Sequence, residues 1–394
     1  MLSPVRAPEP GAGSPATVAA TPVQSRPSTW RRIRRVALLA AAICLIPILA
    51  SYANMLGQRS DSSLGIRTVE WLRDNGARGI VTQVESWYYS LTAPATGGPA
   101  LHALPKQQGA VAPVPAVRHH HYYRPPAIAP VITPALPGEG VWHATWSGGG
   151  SRPPVLITSF RPNPSYPQLV AGVAWIDHTR ASVSLLPGTT EPSVALPSRG
   201  PAEVPAALRG RLVATFNSAF KLSDSGGGVA LNGHTYAPLK DGLATIIKYR
   251  SGKVDVKSWN GGPQAPSDVV FARQNLPLIL DHGQLNPNLS DGPEWGATLG
   301  NAVLVWRSAV GVDRHGNLIY AAANYQTVGS LARIMRRAGA VRAMELDIND
   351  YWTSFITYRH PGASDPSNLV AGMTRSPLRY LTPDDRDFFA VFVR

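Results

Sequence analysis

The stretch TVGSLARIMRRAGAVRAMELD, residues 327–347, decides the fold. Thr327 suits an N-cap, Val328, Leu331, Ile334, Met335 and Ala338 mark one face of a helix, and Gly339 closes it. AVRAMEL follows at once as a short strand and runs into Glu345, Asp347, Asn349 and Asp350. The end of an apolar run is a costly place for three carboxylates unless something uses them. A helix followed directly by a strand that ends in acids is a common way to present side chains at a sheet edge.

Outward from this unit, strands dominate. RPPVLITSFRP, QLVAGVAWID, ASVSLLPG and RLVATFNSAF carry β-branched and aromatic residues bounded by Pro, Gly and Asp. GLATIIKYRSGKVDVKSW reads as a hairpin turning at Ser251 and Gly252, and SAVGVDRHGNLIYAAAN as another turning at His315 and Gly316. Helices are few and the order is not a repeated βαβ pattern. The expected class is α+β, a strand-rich mixed-sheet domain over 138–394.

The formal net charge of +13 owes much to Arg26, Arg31, Arg32, Arg34 and Arg35, so the rest of the chain is only moderately basic and suits anionic envelope polymers. No RNA- or DNA-binding motif is present, and nucleic acid is not an expected partner. VALLAAAICLIPILASYANM has about the 20 residues that a bilayer-spanning helix needs. The arginines before it place its N-terminal side in the cytoplasm and the rest of the chain outside. The competing reading is a cleaved signal peptide, with Ser51 and Ala53 as a small-x-small site and Pro47 interrupting the run. Against it stands a leading segment of about 35 residues, longer than signal peptides carry. Cys44, the single cysteine, lies inside this run, so an exported domain has no disulfide.

Residues 1–29 read as a disordered cytoplasmic tail, 30–56 as a transmembrane anchor, and 57–91 as a helical juxtamembrane segment broken near Gly76 and Gly79. Its aromatic stripe suits either a membrane or partner surface or packing on the domain. Residues 92–137 are rich in Pro and Ala and read as a semi-extended spacer. His119, His120 and His121 lie in that spacer with no matching ligands at fixed spacing, and no resident metal or cofactor is expected from them.

Four places gather polar residues against an apolar background. Asn217 and Ser218 end the strand of RLVATFNSAF; satisfying turn backbone is the simpler role for such an Asn. GGGVALNGHTYAPLKDG offers a glycine loop followed by His234, Lys240 and Asp241, without the Lys-Ser/Thr ending of a P-loop. Arg307 sits between apolar runs and, unable to shed its proton, demands a carboxylate or a phosphate; Asp347 is the protein partner expected. The fourth is the acidic segment itself, which lacks EF-hand spacing.

FNSAF, WRSAVGVDRHGNLIYAAAN and TVGSLARIMRRAGAVRAMELD together resemble the phosphodiester glycosidase family. In that family an Asn-Gly-Gly-Phe-Phe-like segment ends one strand, an Arg-Thr-Ala-Ile-Gly segment opens a hairpin, and a helix and strand lead to Leu-Asp-Gly-Gly-Gly-Ser. Asn217, Phe220, Arg307, Gly311 and Asp347 take the corresponding places. Ser218 and Ala219 stand where the family has two glycines, and Ile348, Asn349, Asp350 and Tyr351 where it has Gly-Gly-Gly-Ser. Such replacements narrow or re-aim a floor that glycine would leave open.

The resemblance implies an outward-facing, membrane-anchored hydrolase that cleaves a sugar from a phosphodiester-linked envelope glycan. A phosphodiester leaves as a weak base, so the reaction needs a cation to hold it and a carboxylate to activate water or steady an oxocarbenium-like centre. The expected roles are Arg307 as clamp, Asp347 as carboxylate and Asn217 as orienting partner. Asp350 and Glu345 are reserve carboxylates, with His234, His282, Lys240, Asp241 and Tyr351 toward substrate. The alternatives are a glycan-binding or scaffolding protein on the same fold and a divalent cation held by Asp347 and Asp350.

Overall fold

The computed structural model describes residues 29–58, 60–111, 122–147, 152–290, 292–296 and 304–394. The chain divides into two compact units, 1–57 and 58–394. The first is the helix α1 (Thr29–Gly57), with Pro47 inside it and no buried residue. It is the helix among the described residues that is long and apolar enough to cross a membrane.

The second unit begins with α2 (Leu64–Leu72) and α3 (Arg78–Thr92), joined through a wide turn at Arg73–Ala77 in which Gly76 has φ 90°. Three sheets follow. An eight-stranded sheet runs in the order β1 (His143–Ala144), β2 (Val155–Phe160), β3 (Ala171–Ile176), β14 (Leu318–Gln326), β13 (Val305–Val312), β15 (Arg342–Glu345), β11 (Leu278–Asp281), β12 (Gln284–Leu285). A five-stranded sheet holds β7 (His234–Ala237), β6 (Val229–Leu231), β10 (Val269–Gln274), β8 (Ala244–Tyr249) and β9 (Val254–Ser258). The third holds β17 (Ser364–Asn368), β16 (Phe355–His360), β5 (Leu212–Asn217), β18 (Phe388–Val393) and β4 (Ala181–Leu186). With one helical turn α4 (Leu222–Ser225) and the helix α5 (Val328–Arg337), the unit is the strand-rich α+β domain expected. Both hairpins turn where the sequence places them, with Gly252 and Gly316 at positive φ.

The sheets enclose a common core. Trp306, Val310 and Val312 of β13 and Met344 of β15 point into it with Phe216, Phe271, Phe355 and Phe389. The alternate residues Ala309 and Ala343 face the opposite side, where Leu331, Ile334 and Met335 of α5 cover the eight-stranded sheet. Thr327 caps α5 by accepting from the Ser330 backbone N–H, and the Ser330 side chain returns the bond. Gly311 is required by close approach: a Cβ there would lie 2.4 Å from the Arg342 carbonyl oxygen.

Among the described residues of 92–137, the segment expected as a spacer, several pack on the domain. Ile128 is buried against the face that α5 covers, its N–H donates to the Gly140 carbonyl, and Val111 N–H donates to Ala144. Glu139, just beyond, receives the buried Arg161 guanidinium at 2.8 Å. A Pro/Ala-rich composition looks like free linker, but Tyr123, Ile128 and Val131 supply enough apolar surface to lay it on the domain. The tail 1–28 and the His119–His121 triplet lie outside the described residues.

Candidate active site

Antiparallel register brings one set of strand ends together. Phe388, the first residue of β18, stands opposite Asn217, the last of β5, and Ala309 of β13 stands opposite Glu345, the last of β15. The segments Ser218–Lys221, Leu346–Ser354 and Asp384–Asp387 therefore meet at one end of the domain.

Asn217 is buried there and fully engaged. Its amide nitrogen donates to Ser308 Oγ (3.0 Å) and the Ser218 carbonyl (3.1 Å), while its Oδ1 accepts from Tyr320 Oη (2.9 Å) and Ser354 N–H (3.0 Å). It ties four chain segments, the wider version of the turn-satisfying role. Asp347 N–H donates to the Ser218 carbonyl at 2.9 Å, which fixes the carboxylate-bearing turn beside it.

Asp347 is a buried acid of this end, as are Asp384 and Asp387. Burial pushes the Asp347 carboxyl up to about 7, with Glu70 and Asp224 adding to the rise, against the pull of Arg386 and the Ile348 N–H. Arg386 Nη1 lies 3.5 Å from Asp347 Oδ2, and its guanidinium covers the Trp352 ring at 4.2 Å. Arg386 Nη2 also reaches Glu70 Oε2 at 3.3 Å, and Lys221 Nζ closes on the same oxygen. Although burial opposes ionisation, Arg386, Lys221 and Arg73 outweigh it and hold the Glu70 carboxyl down to about 2. Glu70 belongs to α2, so a carboxylate from the N-terminal helices fills a seat made by two cations of the strand ends. Arg273 lies alongside, bonded to Asp387 (2.9 Å) and the Phe220 carbonyl (2.6 Å). Among the described residues, the buried Ser218 hydroxyl has no hydrogen-bond partner.

The expected residues are not all brought together. Arg307 does not meet Asp347: it is fully buried, bonded to Glu345 Oε1 at 2.5 Å and to the Gln326 carbonyl at 3.0 Å. Strand alternation explains the change, because Arg307 and Glu345 share the parity of Ala309 and Ala343, which face α5. Burial raises the Glu345 carboxyl and Arg307 counters it. Asp350 is exposed, and its carbonyl accepts from Thr374. Tyr351 lies under Arg375 (4.2 Å) and accepts from the Ser63 N–H. His234 stacks edge-on against Tyr236 on the edge strand β7. His282 is paired with Asp281 in the turn between β11 and β12. Lys240 and Asp241 are exposed, with Asp241 accepting from Gly262 N–H. The glycine loop is closed against protein: Gln274 Oε1 accepts from both Gly228 and Lys240 N–H groups, and a Cβ on Gly228 would lie 2.3 Å from the Pro238 carbonyl oxygen. Among the described residues, no three His, Cys, Asp or Glu side chains group to hold a metal ion.

Arg386, Lys221 and Glu70 are the residues that sequence reasoning passed over. A signal for the first was present in DDRDFF, 384–389, where four charged residues abut a strand of aromatics.

Fold and site together define an antiparallel, strand-built domain that carries a buried carboxyl beside the paired cations Arg386 and Lys221. Residues 202–347 match the phosphodiester glycosidase family, and the matched stretch takes in Asn217 and Arg307 and ends on Asp347. The chain thus resembles that family over less than half of its length. Among solved structures it is similar to a hypothetical protein from Synechocystis, at 17% identity and TM-score 0.39 over 62% of this chain and 63% of that one. It is also similar to the zebrafish N-acetylglucosamine-1-phosphodiester alpha-N-acetylglucosaminidase catalytic domain auto-inhibited by pro-peptide, at 16% identity and TM-score 0.39 over 63% of this chain and 86% of that one. No curated protein matches the chain.

Proposed function

We propose that the chain is a membrane-anchored, extracytoplasmic phosphodiester glycosidase acting on a phosphate-linked sugar of an envelope glycan. The observation that carries this reading is the seat formed by Arg386 and Lys221 beside the protonatable Asp347, already filled by one carboxylate. In this reading the phosphodiester takes the place of the Glu70 carboxylate. Arg386 and Lys221 then hold the charge that develops as the glycosidic C–O bond breaks. Asp347, once ionised, takes a proton from the attacking water or steadies the cationic sugar. Asn217 holds Asp347 in place through Ser218, and the Arg307–Glu345 pair joins β13 to β15 beneath it. The phosphate-holding role moves from Arg307 to Arg386 and Lys221.

The seat is closed by Glu70, and α2 must withdraw it before an anion enters. That closure also favours a second reading, a glycan-binding protein that keeps the fold without turnover.

The test is sugar release from a panel of sugar-1-phosphodiesters by the full chain in detergent, comparing wild type with Glu70→Gln, Asp347→Asn and Arg386→Gln. The hydrolase reading expects Glu70→Gln to release sugar faster than wild type. Placing Asp347→Asn or Arg386→Gln on that background should abolish release while the fold is retained. A folded Glu70→Gln protein that binds the diesters but releases nothing from any of them would sink the hydrolase reading and leave the binding one.

A further inference from the structure

Helix α3 is built inside out. An amphipathic helix on a domain surface ordinarily turns its apolar stripe inward and its charges to water. In α3 the face toward the domain carries Arg78, Val81, Glu85 and Tyr89. Arg78 pairs with Asp224 at 2.9 Å, and Glu85 pairs with Arg73. Val81 is buried, and Tyr89 packs with Phe220, Val305 and Ile348. An outer face carries Ile80, Val84, Trp87 with its neighbour Tyr88, and Leu91, in steps of three or four residues from one turn to the next, and these are 71%, 56%, 63%, 60% and 86% exposed. This is a continuous apolar and aromatic stripe, not scattered surface hydrophobics.

We infer that this stripe lies on the outer surface of the membrane, with lipid as its occupant. The inference rests on reading α1 as an uncleaved membrane anchor. The connection from α1 to α2 is residues 58–63, and six residues reach at most about 20 Å. The chain that follows α1 is thereby kept close to any bilayer α1 crosses. The stripe has the chemistry of the headgroup boundary: aliphatic Ile80, Val84 and Leu91 for the acyl side, and Trp87 and Tyr88, whose amphipathic rings favour that level. The inward charges need no lipid counter-charge, because Arg73, Arg78 and Glu85 are paired within the protein.

This surface and the candidate site share one element pair, since α2 carries Glu70 and α3 continues from it.

The experiment uses the full chain with Cys44→Ala, a single new cysteine labelled with an environment-sensitive fluorophore, and phosphatidylcholine vesicles containing lipid with a nitroxide near the top of the acyl chain. Labels are placed in turn through Leu39→Cys in α1, Val84→Cys in α3 and Ser251→Cys in the β8–β9 hairpin. The expected result is strong quenching from position 39, little from position 251, and quenching from position 84 roughly threefold above position 251, as for a helix set into the headgroup boundary. Quenching at 39 with position 84 no different from 251 would overturn the surface inference and leave the anchor standing. No quenching at 39 would overturn the anchor reading and this inference with it. A position-84 label that is shielded in detergent in a concentration-dependent way, yet is not quenched by lipid, would assign the stripe to a second copy of the chain instead.

Discussion

Asp347 is held at the balance point of its environment, and that makes it the residue with the sharpest signature. Burial raises it to about 7, far above an ordinary aspartate, and Arg386 at 3.5 Å only partly offsets the rise. If it acts as the base on water, release by the Glu70→Gln chain should climb tenfold per pH unit in acid and level off below about 7, because the Glu70 charge that adds to the rise is gone. A rate that is flat from pH 5 to 8 would remove Asp347 from the role. Asn217 behaves differently. Replacing it by Ala strands the Tyr320 hydroxyl and the Ser354 N–H in a buried setting, so Asn217→Ala should cost about 2 to 4 kcal/mol of stability. Denaturant unfolding in detergent measures it, and a loss under about 0.5 kcal/mol would mean that water or a rearranged side chain takes over both bonds. At this scale the sequence showed which residue types matter but not whom they meet. Arg307 announced a need for an anion, and the need is met by Glu345, because partner choice depends on which face of β13 it occupies. Arg386 was hidden in a charge run that looks like solvated surface until Phe388 is known to stand opposite Asn217.

Elements whose signals are local were readable, and those whose identity depends on distant packing were not. Helix α5 is legible because its cap, its apolar stripe and its closing Gly339 all lie within one short stretch of chain. Thr327→Ala removes the bond from Ser330 N–H and should lower stability by about 1 kcal/mol, with no effect on anion binding at the Arg386 seat. A change within about 0.2 kcal/mol would show that Ser330 alone holds the first turn. The hairpins at Gly252 and Gly316 were legible for the same reason, since positive φ in a tight turn selects glycine directly. The contacts of residues 93–111 and 122–137 were not legible because Pro and Ala report on backbone stiffness, not on whether the segment docks. Their docking comes from a few residues such as Ile128 and from Glu139 reaching Arg161, contacts made across long sequence separations.

At the scale of the whole molecule, the charges at the strand ends give stability two opposing pH dependences. Glu70, though opposed by burial, is lowered to about 2 by its cations, and Asp384 is likewise lowered by Arg379 and Arg375 despite its burial. For such groups the unfolded chain binds the proton more readily. Their contribution is therefore present above the ordinary carboxylate range and lost as pH falls through it toward 2. Asp347 and Asp61 have the reverse sign: burial raises them to about 7 and about 6, with Asp384 adding to the rise at Asp61, so the folded chain keeps protons that the unfolded chain has released. Their contribution is greatest in acid and declines as pH rises from about 4 to about 7. Both trends together place the stability maximum of the full chain at about pH 4, with a fall on either side of it. Asp347 alone accounts for a decline of about 4 kcal/mol on the alkaline side. Thermal unfolding in detergent at a series of pH values reads the curve, and Asp347→Asn should flatten its alkaline limb while leaving the acid limb in place. If wild type is equally stable at pH 4.5 and pH 8, Asp347 is already ionised in the folded protein, Arg386 neutralises it more fully than a 3.5 Å contact implies, and its carboxylate is a structural ion-pair partner with no proton to exchange near neutrality.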